Sequence, residues 1–154
     1  MTSDCIEIIR ALTPAILGVL GIIITLIYNR ANKKLNHHKM EKELFTEFNQ
    51  RYDRLNDSLA LLAETMDIDN LKSTDSKIDN KSLYDVVIDY FNLCAEQYYW
   101  KKRKRISSKI WDAWHDGMMY YYETYPVVKQ LWDKETENEG WRSYYLEEKN
   151  DFFK

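Results

Sequence analysis

Residues 11–28 read ALTPAILGVLGIIITLIY, a run with no charged side chain in which Ile16 to Ile27 include nine Leu, Ile or Val residues. At 1.5 Å rise per residue this run covers about 27 Å as a helix, close to the roughly 30 Å hydrocarbon thickness of a bilayer. A buried helix of a globular domain would show polar interruptions at helical spacing. The run therefore reads as a transmembrane helix. On an insertion scale its nine aliphatic residues favour transfer by about 3 to 5 kcal/mol, before Thr, Gly and Pro subtract their share.

The flanks refine that reading. The preceding MTSDCIEIIR is acidic overall, and Tyr28-Asn29-Arg30 follows the run in place of a small-residue cleavage site. An uncleaved anchor is expected rather than a signal peptide. Arg30, Lys33, Lys34, Lys39 and Lys42 face one acid, Glu41, just after the run, which predicts an outside N-terminus and a cytoplasmic C-terminal domain. The expected division is an extracytoplasmic segment 1–10, a transmembrane helix 11–28 and a cytoplasmic helical domain 29–154. Asp4 with Glu7 offers a weak cap; either the helix starts there and carries Pro14 inside it, or Thr13 caps it and Pro14 is its first residue.

Beyond Tyr28 no Gly or Pro occurs until Gly117, and the mean hydropathy is −0.60 although 45% of residues are apolar. Apolar residues outside the span must therefore be concentrated in stripes. Phe45, Phe48, Tyr52, Leu55, Leu59 and Leu62 step by 3 and 4, as do Tyr84, Val87, Phe91, Cys94 and Tyr98, and again Trp111, Trp114, Met118, Tyr121 and Tyr125. These spacings predict a stalk helix continuing from the span, a helix from a Ser82 cap to about Arg103, and a third from a Ser107 cap over 108–125. Pro126 opens a short fourth helix to about Lys134 with Val127, Val128, Leu131 and Trp132 on its apolar side. Residues 67–81 read as a long polar loop, 135–140 as an acidic turn, and 141–154 as either a docked short helix or a frayed end. The fold class is all-α: the transmembrane helix and stalk, packed with two long helices and a short C-terminal one as an antiparallel bundle.

Signals for chemistry are sparse. The chain has no phosphate-binding glycine loop, GxSxG elbow or HExxH motif, so no catalytic, cofactor-binding or metal-ligating residue is assigned and no enzyme is expected. His37-His38 point in different directions on a helix, and His115 with Asp112 and Asp116 reads as helix surface. Asp67, Asp69, Asp75 and Asp79 lack the glycine and glutamate of a calcium loop. Cys94 reads as a core residue, whereas Cys5 could at most cross-link two copies. The sharpest local signal is the run Lys101, Lys102, Arg103, Lys104 and Arg105, either a solvated helix end that complements the helix dipole or a contact for anionic lipid or a partner. With a net charge of −3, nucleic acid is a poor partner. Ala11, Ala15 and Gly18 share a face of the span and offer a packing surface for a second copy. Of the adjacent Tyr120, Tyr121 and Tyr122, some must face outward.

FTEFNQRYDRLNDSL (residues 45–59) after an N-terminal span, DYFNLCAEQYYWKKRKRISSKIWDAWHDGMMYYY (89–122) and YPVVKQLW (125–132) together resemble bacterial single-pass membrane proteins of unknown function. The resemblance implies this architecture and brings no catalytic residues; such proteins can sit in phage-defence gene clusters. The expected role is an interaction or sensing module at the inner membrane face, binding the lipid bilayer and an unknown protein partner or another copy. The rival is a membrane-perturbing effector that oligomerises through its span.

Overall fold

The computed structural model describes residues 3–154, with side chains from Ile6 onward; the expected Asp4 cap and the cross-linking role of Cys5 lie outside the described side chains. The chain divides into two units, one ending at Met40 and the other comprising Glu41–Lys154.

Helix α1 runs from Ser3 to Leu59 with Pro14 inside it, which decides between the two expected starts: Pro14 is not the first residue. Within the first unit every described side chain over 6–31 is exposed, and an 18-residue window there has a mean hydropathy of 2.2. This helix is long and apolar enough to cross a membrane, and it is the only one of that kind among the described residues. Its two threonines suit an apolar surround: Thr13 donates its hydroxyl to the Ile9 carbonyl at 2.7 Å and Thr25 to that of Gly21 at 2.8 Å, so neither hydroxyl needs water.

In the second unit the chain continues from α1 through a 3₁₀ turn (Ala60–Glu64) to the short α2 (Ile68–Ser73), α3 (Leu83–Lys102), α4 (Ser108–Thr124) and α5 (Pro126–Glu135), then a 3₁₀ segment (Glu137–Tyr144) and an irregular tail. No strand occurs among the described residues, so the all-α class holds. Residue pairing gives the directions. Arg51 meets Glu96 while Leu55 neighbours Asn92, so α1 and α3 run antiparallel. Trp114 bonds Asn49 and Tyr121 bonds Tyr52, so α4 runs parallel to α1 and opposite to α3.

The α1 stripe packs as its spacing predicts, with Phe48, Leu55, Leu59 and Leu62 buried, while Phe45 remains 41% exposed and stacks on Trp114. Helix α3 differs from its single expected stripe. It buries Leu83, Val86, Val87, Tyr90, Phe91, Leu93, Cys94, Ala95 and Gln97, an arc of roughly 200° at 100° per residue. The expected Val87–Phe91–Cys94 row faces α5 and the tail, and a second row through Tyr90, Leu93 and Gln97 faces α1 and α4. The helix is central rather than amphipathic. Its start follows the sequence closely, since Ser82 and Asp85 form a reciprocal capping box.

Three local expectations are revised. Residues 67–81 are not one long loop: the Asp67 side chain accepts the Asn70 N–H at 2.8 Å and starts α2, whose Leu71 is fully buried. Ser107 occupies the cap position of α4 but makes no side-chain cap. The tail is docked and has no helix beyond Tyr144. Phe152 and Phe153 are buried against Trp132, at ring separations of 5.0 and 5.3 Å, and Trp132 Nε1–H donates to Asn150 Oδ1 at 3.0 Å. Gly140 permits the approach to this segment, because any Cβ there would collide with the Glu135 carbonyl.

Trp132 is fully buried among Phe91, Tyr144, Phe152 and Phe153. Trp132→Ala should therefore cost about 3 to 5 kcal/mol in chemical denaturation, whereas Tyr120→Ala, at a residue 55% exposed, should cost well under about 1 kcal/mol. Burial pushes the Tyr144 phenol up to about 12, and burial with a hydrogen bond to Glu135 does the same for Tyr84. Folding thus favours the neutral phenols. Their contribution is complete below the unfolded value near 10 and is lost as pH rises toward 12, so a stability titration should fall over that interval and flatten in Tyr84→Phe and Tyr144→Phe.

Candidate functional site

The basic run forms the turn between α3 and α4. Helix α3 ends at Lys102; the Lys104 N–H then bonds the Lys101 carbonyl at 2.9 Å and the Arg105 N–H the Trp100 carbonyl at 3.0 Å. This is a Schellman end, whose left-handed position normally holds glycine. Here it holds Lys104, with φ of 56°. A lysine in that conformation costs roughly 1 to 2 kcal/mol relative to the right-handed region.

The five cations are not equivalent. Lys101 donates to Ser108 Oγ at 3.1 Å, Lys102 lies 3.6 Å from Glu147, and the Arg103 guanidinium sits 4.4 Å over the Tyr99 ring. Lys104 and Arg105 are exposed and make no side-chain contact of this kind with any described residue. Trp100 and the 65% exposed Tyr145 each lie 5.5 Å from Tyr99, so two further rings flank the Arg103–Tyr99 pair. Beyond the turn, the Ser107 N–H donates to Glu41 Oε1 at 2.6 Å. A carboxylate from α1 thus supplies at the α4 N-terminus what the Ser107 side chain does not, and favours its positive dipole end.

A second feature is a cleft of about 230 Å³ with α3 as its floor and α1 and α4 as its walls. Tyr90 and Leu93 lie at the bottom with Gln97, a polar residue only 5% exposed. Tyr52 and Asn49 come from α1, Trp114 and Gly117 from α4. Trp114 Nε1–H donates to Asn49 Oδ1 at 3.1 Å, and the Tyr52 and Tyr121 hydroxyls meet at 3.2 Å. Burial, with the neighbouring Cys94, pushes the Tyr90 phenol far above its ordinary value, and no charged side chain lines the cleft. Glycine inside a helix costs about 1 kcal/mol relative to alanine, yet a Cβ at Gly117 would meet no atom within 4 Å. Close helix packing therefore does not require that glycine.

The apolar stripes do not reveal the cleft, because Asn49 and Gln97 are flanking polar residues that only the register of the helices brings to one lining. The bidentate pair Arg51–Glu96, at 2.6 and 2.9 Å, was hidden for the same reason. His37 and His38 have ring centroids 6.2 Å apart, His115 packs 5.5 Å from Trp111 and bonds neither Asp112 nor Asp116, and no metal-binding group of His, Cys, Asp and Glu occurs among the described residues. Ala11, Ala15 and Gly18 are exposed along with the rest of the apolar segment, and a Cβ at Gly18 would meet nothing within 4 Å.

No protein-family model, curated protein or solved structure matches the chain. The resemblance to single-pass proteins accordingly has its structural counterpart in the one apolar helix alone.

The strained turn makes a direct prediction. Lys104→Gly should raise thermodynamic stability by about 0.5 to 1 kcal/mol in denaturant titrations, because relief of the left-handed lysine exceeds the added freedom of the unfolded chain.

Proposed function

We propose that this chain is a single-pass bacterial inner-membrane protein with a cytoplasmic helical domain that acts as an interaction or sensing module at the membrane face. The basic collar Arg30, Lys33, Lys34, Lys39 and Lys42 and the acidic N-terminal flank support the orientation. The observation that carries the reading is the placement of the α3–α4 turn: it is pinned to Glu41, the first residue of the helical unit. Glu41 follows Tyr28 by thirteen residues in sequence. Lys104 and Arg105 are exposed cations on this turn, and such cations suit anionic headgroups. Each cation near such a surface contributes up to about 1 kcal/mol, an attraction that fades within a Debye length.

The test is amide hydrogen exchange of the full chain in nanodiscs of phosphatidylcholine with and without phosphatidylglycerol. Anionic lipid should slow exchange over 103–107, and salt or Lys104→Gly should reverse the effect. Equal exchange in both lipids removes the lipid contact.

A further inference from the structure

The cleft between α1, α3 and α4 has two properties that packing alone leaves unexplained. The first is Gln97. Its side chain is about nineteen-twentieths buried and lines the cleft, yet its amide makes no hydrogen bond to any described residue. The amide is nevertheless not sealed in: no buried side-chain nitrogen or oxygen among the described residues lacks a partner, so its polar atoms are reached by solvent, and the residue lines the cleft. A buried amide in that position is an unfilled donor and acceptor pair. The second is Gly117, which gives up helix preference and whose missing Cβ would touch nothing. Its consequence is space.

From these we infer that the cleft is a binding site for a neutral, planar heteroaromatic molecule of nucleobase size that presents an adjacent hydrogen-bond donor and acceptor. Each part of this description comes from the lining. Trp114 and Tyr52 supply aromatic walls, on which a flat ring packs favourably. Gln97 offers a carbonyl and an NH₂ on one edge, the geometry that pairs with the edge of a base. Asn49 adds a second NH₂, since only its carbonyl is taken by Trp114. With no charged side chain in the lining, nothing there offsets the desolvation of a phosphate or carboxylate. The size fits, for a cavity of about 150 Å³ already accepts benzene and this one is about 230 Å³. A purely apolar ring would fill the volume and leave the Gln97 amide unpaired.

The site lies wholly within the helical unit and does not depend on lipid contact by the α3–α4 turn. Adenine, cytosine and nicotinamide are suitable probes, each neutral, flat and bearing an adjacent donor and acceptor. Isothermal titration of the full chain in nanodiscs, with empty nanodiscs as the blank, should show saturable binding of at least one probe with a Kd of about 1 mM or tighter. Gly117→Leu, which fills the cleft, should abolish it. Gln97→Leu should weaken it by about tenfold or more, and Gly117→Ala, the mildest filling, by less. Thermal melts identify which variants are folded, and Gly117→Ala, with a Cβ in open space, keeps the comparison available if the leucine variant unfolds. No saturable binding of any probe, or equal binding by wild type and the folded variants, overturns the inference. Binding should be the same in neutral and anionic nanodiscs, so its loss and the loss of the lipid effect are separate results.

Discussion

Helix α3 must be covered over more than half of its circumference, and the second unit is arranged to satisfy that requirement. Its Val87–Phe91–Cys94 row needs one partner layer and its Tyr90–Leu93–Gln97 row another. Helices α1 and α4 supply the second layer. The first is supplied by α5 and the irregular tail, with Trp132 in contact with Phe91 at 5.0 Å and with Phe152 and Phe153 from the last residues described. A ten-residue α5 alone is too short to cover a twenty-residue helix, so the tail is part of the core. The Trp132–Asn150 hydrogen bond satisfies the one polar atom that burying tryptophan brings inside.

The α1 stripe, the Ser82 cap and the apolar side of α5 were legible in the sequence because each depends on spacing within one segment. Burial of Phe48, Leu59 and Leu62 follows from steps of three and four whatever the partner is. The two-sided burial of α3 was not legible in the same way. A helix apolar on adjacent faces loses the contrast on which periodicity depends, and the second row contains Tyr90 and Gln97, residues that also occur on surfaces. The tail was illegible for another reason. Its course depends on positive φ at Asn138, Glu139 and Tyr145, which tertiary contacts impose and local sequence does not announce.

Polar contacts between helices were the least legible. Arg51–Glu96, Trp114–Asn49 and Tyr52–Tyr121 join residues at least 45 positions apart, and each requires the relative register of two helices to one turn or better. The basic run shows the opposite case. Its five residues were plain in the sequence, but the division of labour among them was not, because three are engaged by Ser108, Glu147 and Tyr99. Only the folded turn distinguishes Lys104 and Arg105 as the pair left to solvent.

Two positions run against local preference in opposite senses. Lysine stands at residue 104, where a left-handed helix end calls for glycine, and glycine stands at 117, where the middle of a helix calls for a side chain. A chain shaped by stability alone would hold the reverse at both, since each single change fits the backbone without a clash. Neither departure is offset by packing: the Lys104 side chain makes no hydrogen bond, ion pair or ring contact with a described residue, and a Cβ at Gly117 would meet no atom within 4 Å. What the two residues do supply is a free charge on the α3–α4 turn and an open volume beside the Gln97 amide, which bonds no described residue. Stability forgone without a structural return is what a binding surface requires, because groups satisfied within the fold have nothing left to offer a ligand.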